Sequence, residues 1–295
     1  MKPFQKLSLE DLELVRPYFR HAPWRTCDFS VGGMFMWRDF YHIEYCIEED
    51  VLYVRQRRED GTCEYLPPLC GDIPSAVRHL VQTAGDSGII RFCTAPEAFA
   101  KELQAMYPET VLLEDRDLFD YLYRAETMKT FAGRHLAGQR NHIKHFERDH
   151  AGICFADITA ENLEDAKTFF REVYHGAPCA SDFEKEENRM TTEVLDHFDA
   201  YGFLGGILYA DNRVAGFSLG EIVGDTLFVH IEKSRRDCDG CYQTLTRAFA
   251  ERYCDETVEF VNREEDMGDE GLRYSKNAYH PLELLKKYRA EVPVS

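Results

Sequence analysis

Chemically versatile side chains are concentrated in one segment of the chain, Asn262 to Pro281, with the sequence NREEDMGDEGLRYSKNAYHP. The segment follows a short apolar run, residues 257–261, that predicts a buried strand. It combines carboxylates, basic groups, amides, phenols and an imidazole, a variety that a low-complexity tail lacks. One interpretation is a substrate- or cofactor-binding loop at the end of a strand. The other is a capped, solvated helix from about Glu270 to Asn277 that ends before Pro281.

Two glutamates, Glu232 and Glu264, each follow a predicted strand. If the two strands are neighbours, the carboxylates converge, and one of them can act as general base on an attacking amine. The alternative is a surface ion pair with Lys233 or Arg263. Tyr279 is the candidate general acid toward a leaving oxygen or sulfur atom.

Basic side chains cluster between Arg134 and Arg148, where four Lys/Arg and three His accompany a single acid. Arg140 and Lys144 are four residues apart, so they share one face of a helix. Together with Arg134 they are candidates to clamp the phosphate of a tRNA terminus, a nucleotide or a lipid headgroup. Asn141 lies beside them and can orient the group that is transferred. The alternative is an ordinary solvated basic helix.

A second anion-binding pair is predicted within the segment Asn262 to Pro281. Arg273 and Lys276 share a helix face beside Tyr279. The set of candidate substrate- or cofactor-binding residues is completed by the side chains at the two strand ends, Lys233, Asn262 and Arg263. No His/Cys/Asp grouping has zinc-ligand spacing, so no metal is expected.

A CxxC motif, Cys238-Asp-Gly-Cys241, stands without a second pair. A single CxxC is a weak signal for zinc binding or redox chemistry. Most of the ten cysteines are isolated in a long chain without a secretion signal, so we expect reduced thiols.

Length and composition limit the classes of protein to consider. A chain of 295 residues predicts roughly two domains, and a hydrophobic content of 44% is enough for a sizeable core. No apolar run approaches the ~18 residues that span a bilayer, and no signal-peptide pattern is present, so we expect a cytoplasmic protein without a membrane span. The net charge of −18 disfavours general nucleic-acid binding, and no DNA partner is expected.

The predicted elements follow the same order twice. Residues 8–125 predict a helix, an antiparallel meander, a helix, a strand, a helix and a strand. Residues 131–262 predict helices, a hairpin across Asp211-Asn212, a strand at 226–233, a helix at 240–253 and a further strand. This order predicts an α+β fold with a hinge around residues 123–130.

The join between the strand at 226–231 and the helix at 240–253 predicts an anion site, because a helix N-terminus offers free N–H groups. Acyl-CoA-dependent N-acyltransferases hold their cofactor at this place with the pattern Arg/Gln-x-x-Gly-x-Gly/Ala. The corresponding stretch here, residues 235–240, reads RRDCDG. Cysteine replaces the first glycine and two aspartates are added, which weakens the case for acetyl-CoA.

Three long segments resemble an uncharacterised bacterial family related to the C-terminal domain of phosphatidylglycerol lysyltransferases: AGRHLAGQRNHIKHF at 132–146, FVHIEKSRRDCDGCYQTL at 228–245 and VNREEDMGDEGLRYSKNAYHP at 261–281. The early FSVGGMFMWRDFY is similar to that family's N-terminal signature. The resemblance implies two tandem GNAT-like (acyl-CoA N-acyltransferase-like) domains, as in Fem-type aminoacyltransferases. Each is expected to be a mixed, largely antiparallel sheet flanked by helices. The expected domains are residues 1–125, degenerate, and residues 126–295, with the active site.

The function that the resemblance implies is transfer of an aminoacyl or acyl group to an amine or hydroxyl acceptor. No cofactor follows from the residues alone; acyl-CoA or aminoacyl-tRNA is the expected source of the group. The expected partners are a small-molecule or headgroup acceptor and the acceptor end of a tRNA. Two alternatives are a non-catalytic module that binds anionic ligands and an acetyl-CoA-dependent N-acetyltransferase.

Overall fold

A computed structural model describes residues 1–20, 22–58, 60–84, 88–174 and 182–294. These residues form two compact units. The first unit comprises Met1–Asp120, Glu265–Glu270 and Leu284–Ser295, and the second comprises Tyr121–Glu264 and Gly271–Glu283. Each unit is built around a seven-stranded mixed sheet with flanking helices, which confirms the predicted α+β class.

The elements of the chain up to residue 120 belong to the first unit. They are β1 (Gln5–Lys6), α1 (Leu12–Phe19), β2 (Ile43–Glu48), β3 (Val51–Arg57), β4 (Cys63–Tyr65), α2 (Ile73–Ala84), β5 (Ile89–Pro96), α3 (Glu97–Met106) and β6 (Val111–Glu114).

The elements that follow supply the second unit and return at the end to the first. They are β7 (Asp120–Arg124), α4 (Ala125–Thr130), α5 (Ala137–Asp149), β8 (Cys154–Asp157), α6 (Leu163–Val173), α7 (Asp182–Asp196), α8 (Phe198–Tyr201), β9 (Leu204–Ala210), β10 (Arg213–Val223), β11 (Thr226–Ser234), α9 (Cys241–Tyr253), β12 (Phe260–Asn262), α10 (Glu270–Asn277), β13 (Glu283–Leu285) and β14 (Lys287–Pro293).

The sheet of the first unit has the order β1-β2-β3-β4-β5-β14-β6. Strands β2 to β4 form the predicted antiparallel meander, and β5 joins β4 in parallel after α2. Strand β14 pairs antiparallel with both β5 and β6. The first unit therefore includes residues 284–295, whereas the sequence-based division places them in the second domain. The reason is that β14 finds its hydrogen-bond partners among strands far away in sequence.

The sheet of the second unit has the order β13-β7-β12-β11-β10-β9-β8. Strands β9, β10 and β11 are antiparallel, and β12 joins β11 in parallel after α9. The β9–β10 hairpin turns at Asp211 and Asn212, both with positive φ (52° and 58°), as the Asp-Asn pair predicts. The two units thus share one plan: an antiparallel meander, a helix and a parallel strand.

Strand β11 contains a bulge at His230. Leu219 of β10 lies opposite Ile231, and Gly220 lies opposite Val229, so His230 has no partner across the ladder. A bulge re-aims the side chain of the extra residue and is common beside functional sites.

Helix α9 begins after Gly240, whose φ is +79°. A Cβ atom at this position would lie 2.1 Å from the carbonyl oxygen of His142 in α5, so only glycine allows α5 to approach this closely. Within the described part of the chain, no helix is both long and apolar enough to cross a bilayer.

Candidate functional site

The parallel strands β11 and β12 carry their last residues to the same edge of the second sheet. Glu232 and Arg263 lie after the residues through which the two strands pair, and there the Arg263 guanidinium forms an ion pair with the Glu232 carboxylate. Thr246 of α9 donates a hydrogen bond of 2.7 Å to the other oxygen of Glu232. The side chains of Glu232 and Arg263 are only 10% and 11% exposed. The predicted ion pair with Arg263 is therefore present, but it is nearly buried and does not lie on the surface as that interpretation had it.

Arg263 is also fixed from its other side. Its guanidinium lies 4.7 Å from the ring centroid of Tyr279, a cation–π distance. Burial lowers the pKa of Arg263, but the Glu232 carboxylate outweighs this effect and the pKa rises, so the guanidinium stays charged. Its Nη1 atom is buried and has no hydrogen-bond partner within the described residues. Such an atom is rare in a folded protein and needs an explanation.

Tyr279 lies in the core, with 3% of its surface exposed. Its ring contacts those of Phe131, at 5.5 Å, and Tyr123, at 6.5 Å. Burial raises the pKa of its phenol, although Arg263 opposes the shift. The phenol is therefore a weaker acid than an exposed tyrosine. The structure places Tyr279 under the guanidinium, and its predicted role as general acid stays a prediction.

His230 forms a second buried network with two carboxylates. Its Nδ1 lies 2.7 Å from Glu264 and its Nε2 lies 2.9 Å from Glu221. Burial lowers the pKa of His230, but the two carboxylates outweigh burial and raise it to about 9. His230 is therefore an imidazolium at neutral pH that donates from both nitrogens. His230 is thus a buried histidine with both ring nitrogens hydrogen-bonded.

The carboxylates of Glu232 and Glu264 are held by different partners. The two strands are neighbours, as the predicted convergence requires, but Glu232 is paired with Arg263 and Glu264 with His230. Glu264 is the more open of the two, with its side chain 21% exposed. Its backbone is in the left-handed region, with φ +57°, and the buried Asn262 carboxamide accepts its N–H at 2.6 Å. A non-glycine residue in this region stores backbone strain, which is typical of functional sites.

The basic segment that contains α5 and the residues just before it presents some of its predicted ligand-binding groups to solvent. Arg134, Asn141 and Lys144 are exposed, and within the described residues Arg134 and Lys144 make no ion pair. Arg140 is used locally, because its guanidinium donates to the carbonyl oxygens of Phe131 and Gly133. This contact fixes the turn before α5 and differs from the phosphate clamp predicted for Arg140.

Three further predicted ligand-binding residues support the strand ends. Lys276 donates to the carbonyl oxygen of Arg263 at 2.6 Å, and Lys233 is buried in an ion pair of 3.0 Å with Glu187. Asn262 is fully buried and accepts from the backbone of Glu264. Arg273 lies half-buried on α10. We expected ligand contacts from Lys233, Asn262 and Lys276, and the structure uses their polar groups to hold neighbouring protein atoms.

The segment Asn262 to Pro281 contains the predicted helix, now α10, and also borders the site. After α10, the Ala278 carbonyl accepts a hydrogen bond of 3.1 Å from Gln139 in α5. The rings of His135 and His280 lie 4.9 Å apart. Residues 276–280, the start of α5 and Arg263 are therefore brought together within the second unit.

The N-terminus of α9 is a poor anion site in this chain. The backbone of His142 covers Gly240, at the contact described above. Asp239, next to it, is bound to His142 at 2.8 Å and lies 3.8 Å from His145. A phosphate bound here would be repelled by the His142 carbonyl oxygen and the Asp239 carboxylate.

Sequence reasoning missed Glu221 and Thr246. Glu221 is buried within the apolar strand β10, where a charged residue on a predicted inward-facing strand was an available signal. Thr246 lies on α9 and is 5% exposed. The sequence alone does not show whether a threonine on an apolar helix face donates a hydrogen bond to Glu232 or only packs against its neighbours.

A buried charged cluster in the first unit was also missed. The Lys287 ammonium lies 2.6 Å from Asp120, 2.8 Å from Asp28 and 3.4 Å from Glu265. The Cys27 thiol lies 3.1 Å from Glu265, and the Cys27 N–H donates to Asp120 at 2.7 Å. Burial raises the pKa of Asp120 to about 7. The cation that these groups surround is the Lys287 side chain.

Comparisons with solved structures place the fold. A conserved protein of unknown function from Bacteroides thetaiotaomicron is 28% identical, with a TM-score of 0.88 over 99% of this chain and 100% of that chain. The C-terminal domain of a putative lysylphosphatidylglycerol synthetase from Agrobacterium fabrum is 14% identical, with a TM-score of 0.68 over 96% and 92% of the two chains. FemX is 8% identical, with a TM-score of 0.59 over 98% and 97%. The expected tandem GNAT-like fold is confirmed.

Comparison with curated proteins finds an uncharacterized protein from Mycoplasmoides gallisepticum that is 22% identical over 175 residues. The match covers 59% of this chain and 56% of that protein, so the chain spans little more than half the length of this relative. The profile of the family described as "Phosphatidylglycerol lysyltransferase, C-terminal" matches residues 19–291. The resemblance predicted from the three sequence segments is thereby confirmed, and the chain belongs to the phosphatidylglycerol lysyltransferase C-terminal family.

Proposed function

We propose that this chain is a GNAT-like transferase that moves an aminoacyl group from aminoacyl-tRNA to an amine or hydroxyl acceptor. The observation that carries the proposal is the Arg263 guanidinium, which is held by Glu232 and Tyr279 while Nη1 lacks a hydrogen-bond partner within the described residues. Membership of a family named for lysyl transfer to phosphatidylglycerol supports the same reaction class.

Arg263 is suited to stabilise the charge that develops during acyl transfer. When an amine or hydroxyl attacks an ester carbonyl, negative charge grows on the carbonyl oxygen. A hydrogen-bond donor that is already fixed in a site of low dielectric stabilises this charge without reorganising. Glu232 and Thr246 hold the guanidinium in place, so we assign Glu232 a positioning role.

Glu264 is the carboxylate that we assign to proton transfer. It follows Arg263 directly in the chain and its side chain is more exposed than that of Glu232. An attacking amine or hydroxyl must lose a proton, and a positioned carboxylate can accept that proton. The same proton then passes to the hydroxyl oxygen that leaves on the tRNA. His230 and Asn262 fix Glu264 in its strained backbone conformation.

Two exposed basic residues, Arg134 just before α5 and Lys144 within it, are suited to bind the phosphates of the tRNA end. Both are exposed in a chain whose net charge is −18. An acetyl-CoA mechanism is less well supported, because the N-terminus of α9 is covered by His142 and flanked by Asp239. These observations favour tRNA over CoA as the carrier of the transferred group.

The test is a transfer assay with lysyl-tRNA that carries a labelled lysine. The acceptors are phosphatidylglycerol vesicles and, separately, soluble glycerol phosphate as a headgroup analogue. We expect label in one of these acceptors with the wild-type chain. Arg263→Lys keeps the charge but loses the fork of donors, and we expect kcat to fall by about 10²-fold or more.

A matched pair of lysines tests the role of α5. Lys144→Ala should raise KM for the tRNA. It should also reduce the slope of log K against log salt concentration by about one, the effect of losing one phosphate contact. Lys101→Ala is the control, because Lys101 is an exposed helical lysine of the first unit that is paired with Glu97. We expect Lys101→Ala to change neither quantity.

Two outcomes would replace this proposal. If acetyl-CoA raises the melting temperature strongly and acetyl transfer is observed, the chain is an N-acetyltransferase. If lysyl-tRNA binds without turnover and Glu232→Gln leaves the binding unchanged, the chain is a non-catalytic anion-binding module.

A further inference from the structure

Two consecutive hydrogen bonds on the second unit connect Cys238, His150 and Asp211. Cys238 Sγ is 3.2 Å from His150 Nε2, and His150 Nδ1 is 2.6 Å from Asp211 Oδ2. The other oxygen of Asp211 accepts the N–H of Ala151 at 2.8 Å, which fixes the carboxylate. A thiol, an imidazole and a carboxylate in this order are the parts of an activated nucleophile.

His150 is placed to act as the base in this arrangement. It is the C-cap residue of α5, so the end of that helix fixes its position. The hydrogen bond from the Ala151 N–H lowers the pKa of the Asp211 carboxyl, and so does the His150 ring, so Asp211 is ionised at neutral pH. Because Asp211 binds Nδ1, the Nε2 atom faces the Cys238 thiol.

The Cys238 thiol is half-buried. Burial raises its pKa, Asp237 raises it further and Arg213 opposes the shift. The thiol therefore holds its proton at neutral pH until a base removes it. The charged or titratable groups that act on Cys238 are His150, Cys241, Asp237, Arg213 and Asp211.

Cys241 is the second thiol of the CxxC motif and lies fully buried at the first residue of α9. Burial raises its pKa to about 12, and its Sγ contacts the carbonyl oxygen of Ala215 at 3.3 Å. The Cys241 N–H donates to the carbonyl oxygen of Cys238 at 3.3 Å, which closes a four-residue turn. Such a turn brings the two Cα atoms within about 7 Å, near the range of bridged cysteines.

We propose that Cys238 is a nucleophilic thiol for thiol–disulfide exchange with low-molecular-weight disulfides, and that Cys241 resolves the mixed disulfide. In the first step His150 takes the thiol proton and Cys238 Sγ attacks one sulfur of the disulfide RS–SR. The S–S bond breaks, one RS⁻ leaves, and His150 returns the proton to it. In the second step the Cys241 thiol attacks Cys238 Sγ and releases the second RSH. The two cysteines are oxidised by two electrons, and one RS–SR is reduced to two RSH.

This site is separate in chemistry from the proposed transfer site. It uses no residue assigned to acyl transfer, so failure of one proposal does not decide the other. Residues 175–181, which include Cys179, lie outside the described residues. Cys179→Ser is therefore introduced into every protein that is tested.

The experiment exposes the reduced chain to oxidised glutathione and follows each cysteine by peptide mass mapping. In the reference protein we expect a disulfide-linked peptide that joins Cys238 to Cys241, with release of two glutathione molecules. In Cys241→Ala we expect one glutathione to remain on Cys238. Cys154 is the internal control, because it is exposed and its sulfur has no histidine partner within the described residues.

The role of His150 is tested by rate and by pH profile. His150→Gln should slow the reaction of Cys238 near neutral pH by about 10²-fold, the usual contribution of a general base. The difference should vanish at a pH where the thiol ionises by itself. Asp211→Asn, a change on an exposed turn, should give a smaller loss of the same pH dependence. The rate at Cys154 should stay constant in both variants.

The proposal is overturned if Cys238 reacts no faster than Cys154 near neutral pH. It is also overturned if His150→Gln and Asp211→Asn both leave the pH profile of Cys238 unchanged. A Cys238 adduct that persists in the presence of an intact Cys241 would remove the resolving role.

Discussion

The two units both bury a basic side chain among acidic ones, but in different ratios. In the first unit the Lys287 ammonium lies within 3.4 Å of three carboxylates, those of Asp28, Asp120 and Glu265. In the second unit the Arg263 guanidinium is paired with Glu232 and covered by the ring of Tyr279. One cluster has an excess of acid and the other is balanced.

The ratio decides how each cluster responds to protons. Burial and the neighbouring carboxylates raise the pKa of Asp120 to about 7, although Lys287 opposes them, so the first cluster takes up a proton when the pH falls below neutrality. In the second cluster Glu232 raises the pKa of Arg263 despite burial, and the cation is permanent. A cluster with surplus carboxylates exchanges protons near neutral pH, whereas the balanced pair keeps both of its groups ionised.

Lys287→Met should have the largest effect on stability. It leaves three carboxylates without their cation, and loss of one partner from a buried ionic cluster typically costs about 3–5 kcal/mol. The loss should be larger in mildly alkaline buffer than in acid, because the carboxylates are protonated in acid. Guanidinium unfolding followed by tryptophan emission measures it, since both tryptophans, Trp24 and Trp37, belong to the first unit.

Lys286→Met is the matched control for that experiment. Lys286 is the preceding residue, is 41% exposed and pairs with Glu114 at 3.0 Å on the surface. Its loss should change the midpoint only slightly, because exposed pairs contribute little. Equal shifts for the two variants would refute the contrast between buried and exposed lysines.

Arg263→Met should cost about 3 kcal/mol, since a single carboxylate is left unpaired. The double variant Arg263→Met/Glu232→Met should recover most of this loss, because an apolar pair replaces the ion pair. Far-UV circular dichroism during denaturant unfolding measures both. No recovery in the double variant would mean that Glu232 and Arg263 are coupled to further groups, and the second cluster would not be balanced.

His230 should give the second unit a pH-dependent stability. Its pKa is about 9 in the folded chain and 6.5 in the reference state, so its contribution is present below pH 6.5 and is lost as the pH rises through 9. The free energy of unfolding should therefore fall by at most about 3 kcal/mol across this window. His230→Gln should remove the slope.

The control for His230 is His79→Gln. His79 is a 40% exposed histidine of the first unit that lies 3.0 Å from Glu48. The His79→Gln variant should show the same pH dependence of the free energy of unfolding as the wild-type chain. If His230→Gln keeps the slope too, the imidazolium between Glu221 and Glu264 is not the group that titrates.

Local sequence patterns predicted the elements of the second unit well. The strand predicted at residues 226–233 is β11, the Asp211-Asn212 pair predicted the hairpin turn, and the apolar run before Asn262 predicted β12. These signals succeed because helix and strand periodicity and turn chemistry act over a few neighbouring residues. The ion pair of Glu232 with Arg263 was one of the two interpretations of these residues. Both lie at the ends of predicted strands, so neighbouring strands bring them together.

Long-range contacts were not predictable from these patterns. The cluster around Lys287 joins residues as far apart as Cys27 and Lys287, 260 positions in sequence. The bulge at His230 depends on the register between β10 and β11. Neither register nor long-range strand pairing leaves a local signature, so the ion pair of Lys233 with Glu187, 46 positions away, was not predicted either.

Strand β14 affects the order in which the chain can fold during synthesis. It pairs with both β5 and β6, so residues 287–293 are needed before the sheet of the first unit has its native order. Domains commonly fold from the N-terminus as the ribosome releases them. Here the residues up to 120 must wait for a strand translated after nearly the whole second unit, and with it for Lys287, the cation of their buried carboxylates. Until residue 283 is translated, the second sheet lacks only its edge strand β13, whereas the first sheet lacks an internal strand.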